Sequence, residues 1–216
     1  MNPIPLPDIF EGLRFLWQGV DTANRRLENI DESWEDRWWW VGETDDSLSA
    51  EQEKELASDR EKIQEQIINL ANTRSIVGQS LIIALDKIVK GVTPTVANSN
   101  VGPLVPPQPL SAQKNNSSQQ YWANAVRVAA NYVRHGREWK LEQMNLTTQR
   151  GTNPTVADFA RRDTRGNLKS LCELFATDVS GVLAYDISYR LAERLGLTDY
   201  NATQTNFFAW KQAAGF

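Results

Sequence analysis

Residues 50–90 are the part of the chain that most limits what it can fold into. They contain no proline, and apolar side chains recur there at spacings of three, four and seven residues. These positions are Ile63, Ile67, Leu70, Val77, Leu81, Leu85 and Ile88. Such spacings place apolar side chains on one face of an α-helix. A helix over 50–90 is about 60 Å long, so the pattern predicts a long antiparallel bundle helix or a short coiled coil.

The boundaries of this helix, and a partner for it, are also predicted. Ser49 is a suitable N-cap, and Gly91 and Pro94 end the pattern. A first helix is predicted over 8–30, with Asp8 as its N-cap and an apolar face that packs against the stripe of the second. This face includes Leu13, Leu16 and Val20. The acidic, Trp-rich residues 31–49 are predicted to interrupt the first helix.

The second half of the chain predicts shorter helices. They lie near 119–146, 154–162, 166–176, 179–196 and 203–213. Pro154 suits a first turn, and Thr164 or Asn167 suits an N-cap. No run of alternating apolar residues is bounded by turns, so the fold class is predicted to be all-α, a helical bundle with one long hairpin helix.

Residues 93–118 predict a flexible linker. They contain five prolines, several Asn and Ser, and no apolar periodicity. We expect 95–117 to lack regular structure and to lie at the surface. The preferred organisation is one helical bundle over 1–216 whose linker crosses one end. The alternative is two sub-lobes, 8–92 and 119–216.

Charge and composition exclude several classes of protein. The net charge of −4 gives no global positive field, so any nucleic-acid site would be a local basic patch. Cys172 is the only cysteine, which excludes an internal disulfide, and its apolar surroundings indicate a core thiol. No Cys/His spacing predicts a metal site, and no cofactor is expected. Without a signal peptide or an apolar run of about 18 residues, the expectation is a cytoplasmic protein with no membrane contact.

One segment, residues 121–139, carries an unusual set of side chains. On a helical wheel, an apolar stripe is formed by Trp122, Val126, Ala129 and Val133. Roughly opposite lie Asn124, Arg127, Asn131, Arg134, His135, Glu138 and Glu142, flanked by Tyr132 and Trp139. His135 is the only histidine, and histidine is the side chain best suited to proton transfer near neutral pH. Arginines can hold phosphate and aromatic rings can stack a base. The simpler interpretation is a solvated helix face with ordinary charge pairs, such as Arg134 with Glu138.

The string Asn131-Tyr132-Val133-Arg134-His135, followed by Glu138-Trp139, resembles the signature helix of HEPN-type proteins. That family consists of small all-helical bundles, many of them metal-independent ribonucleases of prokaryotic defence and toxin–antitoxin systems that act as dimers. Its motif is Arg, then Asn or another polar residue, three variable residues and His. Asn131 and His135 match the motif, whereas Ala130 stands at the Arg position.

The resemblance implies roles for particular residues. His135 would be the general base on an RNA 2′-hydroxyl, Asn131 would orient it, and Arg134 or Arg127 would stabilise the phosphate. Contacts to the RNA would come from Tyr132, Arg137, Glu138 and Trp139. The implied partners are RNA and a second protomer or another protein.

Three functions therefore stay open at this point. The first is a HEPN-like endoribonuclease. The second, favoured by Ala130 and the acidic charge, is a non-catalytic HEPN-like module acting as an antitoxin, an RNA-binding subunit or a scaffold. The third is an unrelated helical assembly protein in which His135 is structural. The cluster Trp38-Trp39-Trp40 is either a partner-binding site or a lid over the open end of the bundle.

Overall fold

The computed structural model describes residues 10–43, 50–92, 99–105, 120–184 and 186–216, with the backbone alone for 31–43, 50, 52–53 and 55–56. The α-helices are α1 (Arg14–Glu43), α2 (Ala50–Val92), α3 (Trp122–Arg150), α4 (Arg162–Phe175), α5 (Val179–Leu183), α6 (Ser188–Arg194) and α7 (Tyr200–Ala213). Within the described residues there is no β-strand, and Leu104 and Tyr121 form an isolated bridge. The predicted all-α fold class is confirmed. None of the described helices combines the length and apolar character needed to cross a bilayer.

Helices α1 and α2 form the predicted hairpin. Arg74 Nη1 donates a hydrogen bond to Asn24 Oδ1 across the pair (3.3 Å). Leu81 and Leu85 are fully buried, in one apolar core with Val20 and the partly buried Leu13 and Leu16. The other end of the stripe differs from the prediction because Ile67, at 36% exposure, is not covered.

The first helix is longer than predicted. Helix α1 continues through the Trp-rich stretch to Glu43, so the predicted interruption at residue 31 is wrong. No proline or glycine lies between Val20 and Val41, so nothing in that stretch breaks a helix. The side chains of Trp38–Trp40 and the predicted caps Asp8 and Ser49 lie outside the described residues.

The described part of the proline-rich segment, residues 99–105, is packed against the bundle at both ends. Ser99 and Val105 are buried, so the predicted surface position is wrong for them, whereas Asn100 and Leu104 are exposed. The backbone N–H of Val105 donates to Gln120 O (2.8 Å). Gly102 has φ +87°, and a Cβ there would lie 2.8 Å from the Cα of Trp210. Only glycine allows this close approach, so tertiary contacts hold residues 99–105 in place. Residues 93–98 and 106–119 lie outside the described part.

Beyond α3 the predicted helices need three corrections. The helix expected over 154–162 is only a 3₁₀ turn at Val156–Asp158, closed by a capping box between Thr155 and Asp158. Helix α4 starts at Arg162, so Thr164 and Asn167 lie inside it and do not cap it. The expected helix over 179–196 is broken into α5 and α6.

Helix α3 lies at the centre of the bundle and contacts α2, α4, α5, α6 and α7. The largest buried side chains include Trp122, Trp210, Phe10, Phe159 and Phe207. Indole N–H groups are satisfied within this core: Trp17 Nε1 donates to Leu197 O and Trp122 Nε1 to Leu195 O, both at 2.9 Å. The first of these bonds joins the hairpin to the C-terminal helices, so the two halves share one core.

Candidate functional site

The candidate site is the polar side of α3, and its motif positions have different surroundings. Ala130, at the place of the motif arginine, is fully buried in the core. Asn131 is half-buried, and its Nδ2 donates to Asn167 Oδ1 on α4 (3.2 Å). Tyr132 and Trp139, predicted as RNA contacts, are buried to 8% and 5% exposure and pack edge to face. Their rings are therefore mainly core side chains.

Arg134 contacts a buried carboxylate on α2. Its Nη2 donates to Asp86 Oδ2 at 2.6 Å, and Lys90 Nζ donates to the same oxygen at 2.8 Å. The Asp86 side chain has no exposure to solvent. A buried carboxylate needs such partners, because removal of a charge from water costs several kcal/mol. The Arg134 guanidinium is therefore held by the fold and joins α2 to α3.

Arg127 is also directed away from the histidine. Its Nη1 donates to Ser99 Oγ in the packed 99–105 segment (3.1 Å). The two arginines predicted to stabilise a phosphate thus contact α2 and residue 99. The structure does not bring either of them together with His135.

His135 forms a small group with two neighbours on its own helix. Its side chain is 46% exposed, and Nδ1 lies 3.4 Å from Glu138 Oε2. The imidazole stacks on Trp139, with 6.4 Å between ring centroids and 24° between the planes. A carboxylate beside one ring nitrogen and an indole beneath the ring fix the orientation of the imidazole, leaving part of it accessible to solvent.

Arg137 differs from the other predicted arginines. It is exposed and makes no ion pair with any described residue. It lines a cavity between α2, α3 and the α5–α6 junction, which His135 and Asn131 do not line. The predicted site residues therefore do not form one site. His135 contacts Glu138 and Trp139, and Asn131 bonds to Asn167. Arg127 and Arg134 are hydrogen-bonded to other segments, whereas Arg137 has no ion-pair partner among the described residues.

Two carboxylates missed by the sequence reasoning organise this region. Asp86 interrupts the apolar run from Leu81 to Val89, which is a detectable signal, but its partners are not evident from spacing. Asp186 accepts hydrogen bonds from Ser75 Oγ and Gln79 Nε2 on α2 and from the Ser188 N–H. Partial burial would raise the pKa of Asp186, but hydrogen bonds from Ser188, Ser75 and Gln79 outweigh it and hold this pKa below its usual value.

Charge is distributed unevenly along the chain. Residues 1–119 contain 11 Lys and Arg against 18 Asp and Glu, a net charge of −7. Residues 120–216 contain 12 Lys and Arg against 9 Asp and Glu, a net charge of +3. The candidate site thus lies in the positively charged half. Within the described residues, no three His, Cys, Asp or Glu side chains are grouped as metal ligands would be.

Comparisons of the chain with protein-family models, with curated proteins and with solved structures give no match.

Proposed function

We propose that this chain is a non-catalytic, HEPN-like helical module that acts as a cytoplasmic scaffold subunit of a protein complex in a prokaryotic defence or toxin–antitoxin system. The observation that carries the proposal is the Arg134–Asp86 ion pair, in which the carboxylate is fully buried. An RNA-cleaving site needs a positive group that faces the phosphate. Here the arginine next to His135 in sequence is bonded to the core.

Two further observations support a non-catalytic role. Ala130 is buried at the position where the motif has arginine, so even an Ala130→Arg change would place a charge in the core. Asn131 Nδ2 donates to Asn167, an interaction within the bundle. Apart from His135, the groups that the family resemblance assigns to catalysis thus take part in holding α3 to its neighbours.

A second candidate, a metal-independent endoribonuclease, is favoured by one specific observation. His135 is half-exposed, and Glu138 lies beside its Nδ1, an arrangement that would suit a general base. In that case cleavage would persist in EDTA and would decline as the pH falls, because a protonated imidazole cannot accept a proton. Arg137 would then have to supply the positive charge.

The test is incubation of the purified protein with total RNA in EDTA, beside His135→Ala and a Lys169→Ala control prepared identically. We expect intact RNA in all three samples. Cleavage by wild type and Lys169→Ala, but not by His135→Ala, would replace the scaffold proposal with the ribonuclease. Cleavage by all three would identify a contaminating nuclease, and a preparation freed of it would then be assayed.

The scaffold role itself has a direct readout. When tagged wild-type and His135→Ala chains are expressed in the native host, we expect both to recover the same partner proteins in equal amounts. The reason is that a scaffold binds its partners through its surface and does not use an imidazole for proton transfer. Recovery of no specific protein by either chain would contradict the scaffold role.

A further inference from the structure

A cleft opens between α2 and α3 on a side of α3 that neither Asn131 nor His135 lines. The cavity at its base has a volume of about 280 Å³. One wall is Arg137 and Lys140 on α3, and the other includes Gln79 on α2 and Asp186 at the α5–α6 junction. We call this region the α2–α3 cleft. It exists because the chain breaks between α5 and α6, which brings Asp186 to α2.

On both helices, large apolar side chains that the fold leaves in solvent lie at helical spacing from the cavity-lining residues. Ile76, Leu141 and Met144 are 63%, 54% and 57% exposed. Ile76 lies three residues before Gln79, and Leu141 and Met144 lie four residues after Arg137 and Lys140. Residues at these spacings share a side of a helix, so the apolar residues extend both walls. Exposed apolar side chains on the helices that form a cavity are typical of interaction sites.

The free positive charge lies on the α3 wall. Arg137 has no ion-pair partner among the described residues, and Lys140 Nζ donates only to the Ala184 carbonyl (3.2 Å). Asp186, on the opposite wall, already accepts hydrogen bonds from Ser75, Gln79 and Ser188. These donors are neutral and stabilise the charge of Asp186 without cancelling it, so a carboxylate that enters from solvent would meet two cations on α3 and one anion on the opposite wall, a net positive lining.

We propose that the α2–α3 cleft binds an amphipathic helix of a partner protein, with an acidic side chain of that helix in the cavity. This inference rests on the scaffold function and names the chemistry of its partner. A groove between two helices accepts the apolar face of a third, while Arg137 and Lys140 select carboxylates by charge. The cavity is at the lower end of the small-ligand range, and it suits one inserted side chain. Among the described residues that line the cavity the one aromatic side chain is Tyr132, and at 8% exposure its ring offers little open face on which a nucleic-acid base could stack.

The experiment places the photo-crosslinking residue p-benzoylphenylalanine at Leu141 of the full chain in native host cells. A matched probe replaces Lys169, an exposed residue of α4 that does not line the cleft. We expect a protein crosslink from position 141 and not from 169, and mass spectrometry should locate it in an acidic amphipathic segment. Adding Arg137→Glu should reduce the yield at position 141 by about fivefold or more, because it places like charges together. Arg162→Glu, on α4, should leave the yield unchanged.

Several results would overturn the inference. They are no crosslink at position 141, a crosslink to RNA, a crosslink to a second copy of this chain, or a segment without acidic residues. Equal yields with and without Arg137→Glu would also overturn it. These failures are distinguishable from failure of the proposed function, which would show itself as RNA cleavage that is lost in His135→Ala, or as recovery of no specific protein by the tagged chains. A ribonuclease could still bind a partner in this cleft, and a scaffold could bind its partner elsewhere.

Discussion

The two halves of α2 share one apolar spacing, yet only one of them is buried. Leu81 and Leu85 have no exposure, whereas Ile67, on the same stripe, is 36% exposed, and its neighbour Ile68, beside the stripe, is 59% exposed. The described contacts of α2 with α6 and α3 begin near Arg74, where the guanidinium lies over the Tyr189 ring at 4.3 Å. Earlier in α2, the described neighbour is α1. Periodicity therefore predicts that a helix forms, but burial needs neighbours on every side of it.

The largest expected effect tests this contrast directly. Leu81→Ala should lower the free energy of unfolding by about 2–5 kcal/mol, because it removes a fully buried side chain and leaves a cavity. Ile68→Ala, in the exposed half, should change it by less than about 0.5 kcal/mol. Chemical denaturation of both variants, with the slope checked for two-state behaviour, measures the difference. A large decrease in the free energy of unfolding of Ile68→Ala would indicate that the exposed half of α2 is covered in solution, for example by another protomer.

A smaller effect is expected where α2 meets α3. Arg134→Ala should destabilise the fold by about 1.5–3 kcal/mol, because it removes a charged hydrogen bond from a buried carboxylate. Lys90 stays bonded to Asp86 and limits the loss. Arg137→Ala, one turn further along α3, is the matched control and should be nearly neutral. Thermal unfolding followed by circular dichroism compares them. Equal stability of the two variants would refute a structural role for Arg134 and weaken the scaffold proposal.

The smallest expected effect is a difference in reaction rate between the thiol of Cys172 on α4 and a thiol placed on the exposed half of α2. Burial, together with Asp178 and Glu173, raises the pKa of Cys172 to about 11. At pH 8 the group is mainly the unreactive thiol, so alkylation should be slow and should accelerate as the pH rises toward that value. A cysteine introduced by Ile68→Cys on the exposed half of α2, in a Cys172→Ala background, should react much faster at pH 8. Mass spectrometry follows both rates. Rapid labelling of native Cys172 would show that α4 is not held as described.

Particular residues show how far the sequence could predict this fold. Residues 50–90 were predictable as a helix because spacing, charge and the absence of proline all agree over many turns. The predicted break after residue 30 is wrong because an acidic, aromatic composition does not by itself end a helix, and none of residues 34–41 prevents one. The split of 179–196 was not predictable. It depends on Asp186, whose partner Ser75 is 111 residues away, and on the Ile187 N–H, which donates to the Tyr132 hydroxyl (3.4 Å).

The candidate site shows the same division between local and distant information. Helical spacing alone placed His135 and Glu138 on one side of α3, and the structure joins them. It could not assign the arginines, since Arg134 and Asp86 are 48 residues apart and meet only when α2 packs on α3. The sequence by itself thus determined the helical class, the hairpin and which side chains share α3. Tertiary structure alone decided which charges are free and which are bonded, because a hydrogen-bond partner is set by distance in space and not by distance along the chain.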